Sequence, residues 1–241
     1  MKLHRITDNT CYIDAAVNLG LITKPGGQAL LIDTGIDAST ARKIRRLLEE
    51  NDLKLEGIVI THAHADHSGG ADYLVKTTGA PVYASPAEKT VLDFPLWEPV
   101  YLFGGAYPPL PVRSKFFLAP RVEVDRVITP GTAGFPGFED LEIEVVDLAG
   151  HTLGQVGVAV DGVLFCADAV IAPEFIAKHG VPLNAHLGKT LETYDCLEGR
   201  KERRFLPSHG QLVHNLGPLV ASNRERVNQV AGRIMEELDR P

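Results

Sequence analysis

Thr61-His62-Ala63-His64-Ala65-Asp66-His67-Ser68-Gly69-Gly70 sets three histidines and an aspartate within six residues and then gives way to paired glycines. In a chain of 241 residues with 9 histidines, a His-x-His-x-Asp-His run arises by chance in about one shuffled sequence per thousand. The segment before it, Leu55 to Thr61, carries Gly57-Ile58-Val59-Ile60, the pattern of a buried strand, so the run begins where a strand stops. His62 and His64 alternate past that strand end and can point to one side. Asp66 and His67 lie where the chain curls into a helix and can turn toward the same point. Gly69 and Gly70 leave space for another backbone to come close.

Neutral imidazole and carboxylate suit zinc, iron or manganese, and no thiolate in the run favours a structural cysteine site. Four ligands in six residues crowd a single tetrahedral ion, so two ions roughly 3.5–4 Å apart are the economical reading. Such a site needs ligands from elsewhere, and three candidates stand at strand ends: His151 in Gly150-His151-Thr152-Leu153-Gly154, Asp168 after Val163–Ala167, and His209 in Ser208-His209-Gly210.

Outward from the run, the chain reads as short strands and helices. Gln28–Asp33 is an apolar run closed by Thr34-Gly35, and Asp37 is placed to cap a helix over Ala38 to Asn51 with Ile44, Leu47 and Leu48 on one face. A helix over Ala71 to Thr78 ends at Gly79, and Pro81 to Ala84 is a strand. Leu141–Leu148, Gln155–Val160 and Val163–Ala167 read as strands, the last two joined by the hairpin signal Asp161-Gly162. Thr190–Gly199 and Leu216–Leu238 read as helices flanking a strand at Arg204–Pro207. The stretch at about 85–120 interleaves prolines with aromatics, which opposes a continuous helix but is too apolar for a solvated linker. It reads as an ordered insertion that walls a site or a subunit contact.

Charge and composition narrow the classes. With 24 basic and 31 acidic residues the net charge is −7, which argues against nucleic-acid and anionic-membrane partners. No apolar stretch nears the roughly 20 residues of a membrane span, and the N-terminus shows no signal-peptide core. Three cysteines, Cys11, Cys166 and Cys196, are too few for a disulfide framework. A reduced, cytoplasmic protein acting on a small molecule is the expectation, with a homodimer left open by the insertion's aromatics. No linker divides the chain, so 1–241 reads as one domain.

The order of these motifs, from Leu31-Ile32-Asp33-Thr34-Gly35 to His209-Gly210, resembles the metallo-β-lactamase fold superfamily. The resemblance implies a four-layer αββα sandwich, an α/β (α+β) fold with metals at the sheet edges. It implies that His62, His64 and His151 bind one ion, that Asp66, His67 and His209 bind a second, and that Asp168 bridges them, with Asp33 supporting the loop from behind. A bridging Asp168 resembles the glyoxalase II, lactonase and ribonuclease Z branches rather than true β-lactamases. The residues after His209 are few for the helical glutathione-binding domain of glyoxalase II. Where those branches carry Gly-Asp, this chain has Ala167-Asp168, which tightens the turn's steric demands.

The activity implied is hydrolysis of a small thioester, ester or lactone by hydroxide activated at two ions, zinc first and iron or manganese as alternatives, with Asp66 and Asp168 as the catalytic carboxylates. A phosphodiesterase or ribonuclease on the same site would need a basic groove, for which Arg113, Arg121 and Arg126 are the cluster available. An iron-dependent redox or sulfur-dioxygenase-type protein is a third reading, and a metal-stabilised binding module a fourth. His4, His179, His186 and His214 read as surface residues, with the pocket mouth as an alternative for His179 and His186. Cys166, Tyr194 and Trp97 read as packing.

Overall fold

The apolar run Gln28–Ile32 is β4, and its two faces belong to different cores: Ala29 and Leu31 join one buried cluster, Leu30 and Ile32 another. A strand buried on both sides loses the polar alternation of a half-exposed one, which is why this segment shows none. The computed structural model describes residues 1–132, 134–180 and 183–239, with the His179 side chain outside that set. β4 is central in a seven-stranded sheet ordered β1 to β7. β1 (Lys2–Arg5), β2 (Thr10–Asp14) and β3 (Leu19–Thr23) form an antiparallel meander on one side of it. β5 (Lys54–Val59), β6 (Val82–Ala84) and β7 (Arg126–Val127) continue in parallel on the other.

Parallel neighbours need crossovers, and helices supply them. α1 (Ala38–Glu50) begins where the Asp37 carboxylate accepts from Thr40 N–H at 2.9 Å, and it buries Ala41, Ile44 and Leu48. The short α2 (Ala65–Ser68) and α3 (Ala71–Thr78) follow β5, and α3 stops at Gly79 with φ 73°. Two further helices, α4 (Pro86–Asp93) and α5 (Trp97–Leu102), occupy the first part of the insertion. Pro86 opens α4 and Pro99 lies in the first turn of α5, positions that lack a helical N–H partner anyway, so the prolines divide this segment into short helices without abolishing them.

The second sheet runs β11-β10-β9-β8, built from β8 (Glu144–Asp147), β9 (Val156–Val160), β10 (Val163–Ala167) and β11 (Arg204–Pro207). Asp161 and Gly162, with φ 53° and 71°, make the expected tight turn between β9 and β10. In β10, Val163 and Phe165 face the inter-sheet core with Leu30, Ile32 and Val59, while Leu164 and Cys166 face Tyr194, Leu197 and Val220. Those last residues come from α7 (Leu187–Glu198) and α8 (Gly217–Leu238). Helices α1 and α3, two sheets, then α7 and α8 give the αββα layering that the motif order implies. Cys166 and Tyr194 are packing residues in this outer layer, and burial pushes the Cys166 thiol up.

Three elements depart from the sequence reading. The β1–β3 meander is not evident from short runs interrupted by Asp8-Asn9 and Ala15-Ala16. The strand expected over Leu141–Leu148 is confined to Glu144–Asp147. The loop after Asp168 contains α6 (Pro173–His179), opened by Pro173 at its first position. No described helix is long and apolar enough to cross a membrane.

Asp168 reaches the site through an irregularity: the β10–β11 register slips between Phe165 and Ala167, and Ala167 adopts φ 49°. An alanine in the left-handed region costs roughly 1–2 kcal/mol, of which glycine would relieve most while adding freedom to the unfolded chain. Ala167→Gly is therefore expected to stabilise the fold by up to about 1 kcal/mol, raising Tm by roughly 2–4 °C in thermal unfolding; a lower Tm would show that this turn is unstrained.

Candidate metal centre

Asp33 ends β4 in the left-handed region, φ 63°, which turns its carboxylate across to the end of β5. One oxygen accepts from Thr61 N–H at 2.8 Å, and the other from Thr61 Oγ1 and His67 Nδ1, each at 2.8 Å. Thr61 Oγ1 in turn faces His62 Nδ1 at 3.1 Å. The adjoining Thr34 donates both its N–H and its hydroxyl to His67 C=O, at 2.7 and 2.9 Å. Gly69 and Gly70 permit this approach, since a Cβ on Gly69 would lie 2.1 Å from Ile36 O and one on Gly70 2.4 Å from Thr34 O. The support expected of Asp33 thus fixes two imidazoles with their other nitrogens aimed inward.

All seven residues expected at the site converge. His62, His64 and His151 bring one nitrogen each within 4.8 Å of one another, and so do the ligand atoms of Asp66, His67 and His209 and of His62, His67 and Asp168. Asp168 stands between the two triads, with its carboxylate 3.6 Å from His151 Nε2, 3.5 Å from His67 Nε2 and 3.4 Å from His209 Nε2. His62 Nε2, His67 Nε2 and Asp168 Oδ1 are buried without a hydrogen-bond partner. Native interiors rarely leave such atoms alone, and nitrogen and carboxylate donors converging on two points fit divalent cations.

The electrostatics divide the site. Burial, aided by neighbouring imidazoles, holds His62 well below its ordinary value and His64 down to about 3. Burial lowers His151 as well. These three rings are neutral donors. Burial also opposes charge on His67 and His209, but Asp168 and Asp66 outweigh it, raising His67 well above the ordinary value and His209 to about 9. The reverse holds for the carboxylates: burial disfavours their charge, yet the same two histidines keep Asp66 at about 2 and Asp168 well below the usual range. In the metal-free protein, protons on His67 and His209 occupy the charge position that a cation would take between these carboxylates.

A cavity of about 390 Å³ opens onto His64, Asp66, His151, Asp168 and His209. Glu98 and the apolar Leu102, Phe116, Phe117, Ile171, Phe175 and Ile176 line its other walls, and among the described residues its lining includes no lysine or arginine. Phe175 stacks on His209 with ring centres 4.3 Å apart. The insertion therefore does wall the site, as its aromatics suggest. Arg113 and Arg121 are engaged elsewhere, on Pro108 O and Asp93 O, and neither they nor Arg126 line the cavity. His186 is exposed, as its surface reading expects, and caps α7 by accepting from Lys189 N–H at 3.1 Å; the alternative at the pocket mouth does not hold, since it is not a lining residue. The His179 side chain lies outside the described residues.

Three residues that the sequence reading passed over touch the metal loops. Glu88 accepts from Ala63 N–H, Thr152 Oγ1 and Gly154 N–H at 2.8, 2.7 and 2.9 Å. Glu98 accepts from Ala65 N–H at 3.3 Å, and the Tyr101 hydroxyl lies 2.8 Å from His64 Nε2. Ser85-x-x-Glu88 has the form of a helix-start signature, which conceals the second role of its glutamate.

Two outcomes are expected. Asp33→Asn replaces an acceptor with a donor facing Thr61 or His67, and should weaken binding at the Asp66–His67–His209 triad by about 10–100-fold in chelator competition. Because the carboxylates raise His209 to about 9 and His67 well above its ordinary value, loading this triad should release protons, and apparent affinity should rise with pH toward 9. Calorimetry at pH 7 in buffers of different ionisation enthalpy measures this, and buffer-independent heats would contradict it.

Comparison with known proteins agrees with this geometry. Residues 13–209 match the sequence model of the metallo-β-lactamase superfamily. A hydroxyacylglutathione hydrolase of Methylobacillus flagellatus is 31% identical over 144 residues, 60% of this chain and 44% of that protein. An uncharacterised protein of Mycobacterium tuberculosis is 31% identical over 148 residues, 61% of this chain and 58% of its own. The chain thus aligns with about half the length of these relatives. Among solved structures, Rm3 metallo-β-lactamase superposes with a TM-score of 0.75 at 19% identity, covering 97% of this chain and 94% of that one. A subclass B3 metallo-β-lactamase of Bradyrhizobium japonicum gives 0.72 at 21%, covering 99% and 95%. At these identities the structural likeness speaks for the fold. With the family match spanning all seven converging residues, the chain belongs to the metallo-β-lactamase superfamily.

Proposed function

We propose that this protein is a metal-dependent hydrolase of a small, uncharged thioester, ester or lactone, working with two divalent ions, zinc first. The observation that carries this reading is a pair of ligand triads flanking Asp168 on the floor of a cavity whose remaining walls, Glu98 apart, are apolar and carry no lysine or arginine among the described residues. A phosphodiester or nucleic-acid substrate would call for lysine or arginine around its phosphate, so the lining favours acyl chemistry. The similarity to a hydroxyacylglutathione hydrolase supports the same reaction class.

His62, His64 and His151 would hold one ion, and Asp66, His67 and His209 the other, with Asp168 between. Bound there, such ions supply an acidified water and a Lewis acid toward a carbonyl oxygen. The chain's own residues do the rest. Asp66, with 36% of its side chain exposed on the cavity floor, is placed to accept the proton of an attacking water at Oδ2 and return it to the leaving group. Asp33 keeps the proton of His67 on Nδ1, leaving Nε2 free as a donor atom. Leu102, Phe117, Phe175 and Ile176 surround the acyl group and exclude bulk water.

The test is metal content per chain on protein purified without chelator, with activity on thioesters, lactones, esters and phosphodiesters. About two ions per chain, hydrolysis of acyl substrates and little phosphodiesterase activity are expected. Asp168→Ala should lower the metal content, and Asp66→Asn should lower kcat by about 10²–10⁴-fold. A single iron that survives Asp168→Ala, with dioxygen uptake, would replace this reading with a redox one.

A further inference from the structure

The metal loop is held from two directions, and only one of them is the Asp33 support described above. Its other side is gripped by the insertion at three successive residues: Glu88 takes Ala63 N–H at 2.8 Å, Tyr101 meets His64 Nε2 at 2.8 Å, and Glu98 takes Ala65 N–H at 3.3 Å. His64 turns its Nδ1 inward, 3.0 Å from His151 Nε2, and its Nε2 to the Tyr101 hydroxyl; with a cation on Nδ1 the ring proton would stay on Nε2 and the Tyr101 oxygen would accept it. Glu88 and Glu98 are each 2% exposed, unusual burial for glutamates. Glu88 spends its other oxygen on the second ligand loop, taking Thr152 Oγ1 and Gly154 N–H beside His151.

This last contact depends on Gly154. A Cβ there would lie 2.3 Å from Ser85 Oγ and 2.7 Å from the Ala87 Cβ, so the start of α4 is seated directly on the loop that carries His151. One carboxylate therefore spans the gap between the loop of His62 and His64, at the edge of the first sheet, and the loop of His151, at the edge of the second. It acts beside the backbone bond from Val156 N–H to Thr61 O at 3.0 Å, which joins the two sheet edges at the start of the same loop.

We propose that the insertion is a clamp on the first metal triad, with Glu88 and Tyr101 as positioning residues that set the separation and ring orientation of His62, His64 and His151. The inference rests on the metal-binding reading above. It gives the insertion a role beyond walling the cavity: the segment that shapes the acyl pocket also sets the affinity of the first ion. Leu102 follows Tyr101 by one residue and lines that cavity, so pocket shape and metal geometry are set by the same short helix.

The experiment titrates metal-free wild type, Glu88→Gln and Tyr101→Phe with cobalt(II) and zinc(II), following cobalt d–d absorption and competition with a chromophoric chelator. Glu88→Gln keeps size but puts a donor amide against at least one of three N–H or O–H donors, and Tyr101→Phe removes one oxygen from a partly exposed ring. Each should weaken the first ion by about 10–100-fold and shift its cobalt spectrum, with a smaller change at the second. Trp97→Phe, on the same helix but pointing to solvent at 49% exposure, should change neither. Near-UV circular dichroism of the metal-free proteins checks folding, and Tyr101→Phe keeps the test open should Glu88→Gln fail to fold. Wild-type affinities in folded variants, or equal losses at both ions, would overturn the clamp while leaving the hydrolase reading in place. A wild type that binds neither metal would overturn the hydrolase reading itself.

Discussion

The half-exposed Asp66 and the buried Asp168 face one another's histidine partners in a place where burial penalises every unbalanced charge. Positive charge on His67 and His209 offsets that penalty, and cations held there, as proposed, would serve the same balance. Asp33, itself buried at 2% exposure, sets which nitrogen of His67 looks inward. Much of the architecture follows from this balance. β4 and β5 must end side by side so that Asp33 meets Thr61 and His67, and β10 must break its register at Ala167 to bring Asp168 between the triads. The glycines at 69 and 70 exist where two backbones come too close for a Cβ.

The asymmetry between the triads has a chemical consequence. Three neutral imidazoles accept a cation without losing protons, whereas the Asp66–His67–His209 set must release them. On the two-ion reading proposed above, the first ion would be held by donor geometry and the second by charge exchange. On the proposed clamp, that difference would make the insertion, which touches the all-histidine triad, matter to one ion more than to the other. It also leaves Asp66, the most exposed of the carboxylates, on the cavity side, where a proton can be passed without disturbing the ligand frame.

The ligand residues were legible in the sequence because metal chemistry demands particular side chains, and His62, His64, His151, Asp168 and His209 stand in loops that follow strands while Asp66 and His67 follow at once in α2. The αββα layering was legible for a similar reason: β4 and β10 read as unbroken apolar runs because they sit between two cores. The residues that hold the ligands were less so. Glu88, Glu98 and Tyr101 lie in a proline- and aromatic-rich segment with no periodicity, and the two glutamates act on backbone N–H groups that any residue would present. Short strands such as β1 and β7, and helix α6 behind its opening proline, owe their form to neighbours rather than to local preference. The cap that His186 places on α7 was not legible, because a histidine near a site and a histidine capping a helix look alike in sequence.

The central claim is that two cations share Asp168 between an all-histidine triad and an Asp–His–His triad. Crystals of zinc-loaded protein, measured on both sides of the zinc absorption edge, test it directly. Two anomalous peaks roughly 3.5–4 Å apart, one within bonding distance of His62, His64 and His151 and the other of Asp66, His67 and His209, are predicted, with Asp168 reaching both. A single peak equidistant from the seven residues, or two peaks of which neither contacts Asp168, would contradict it.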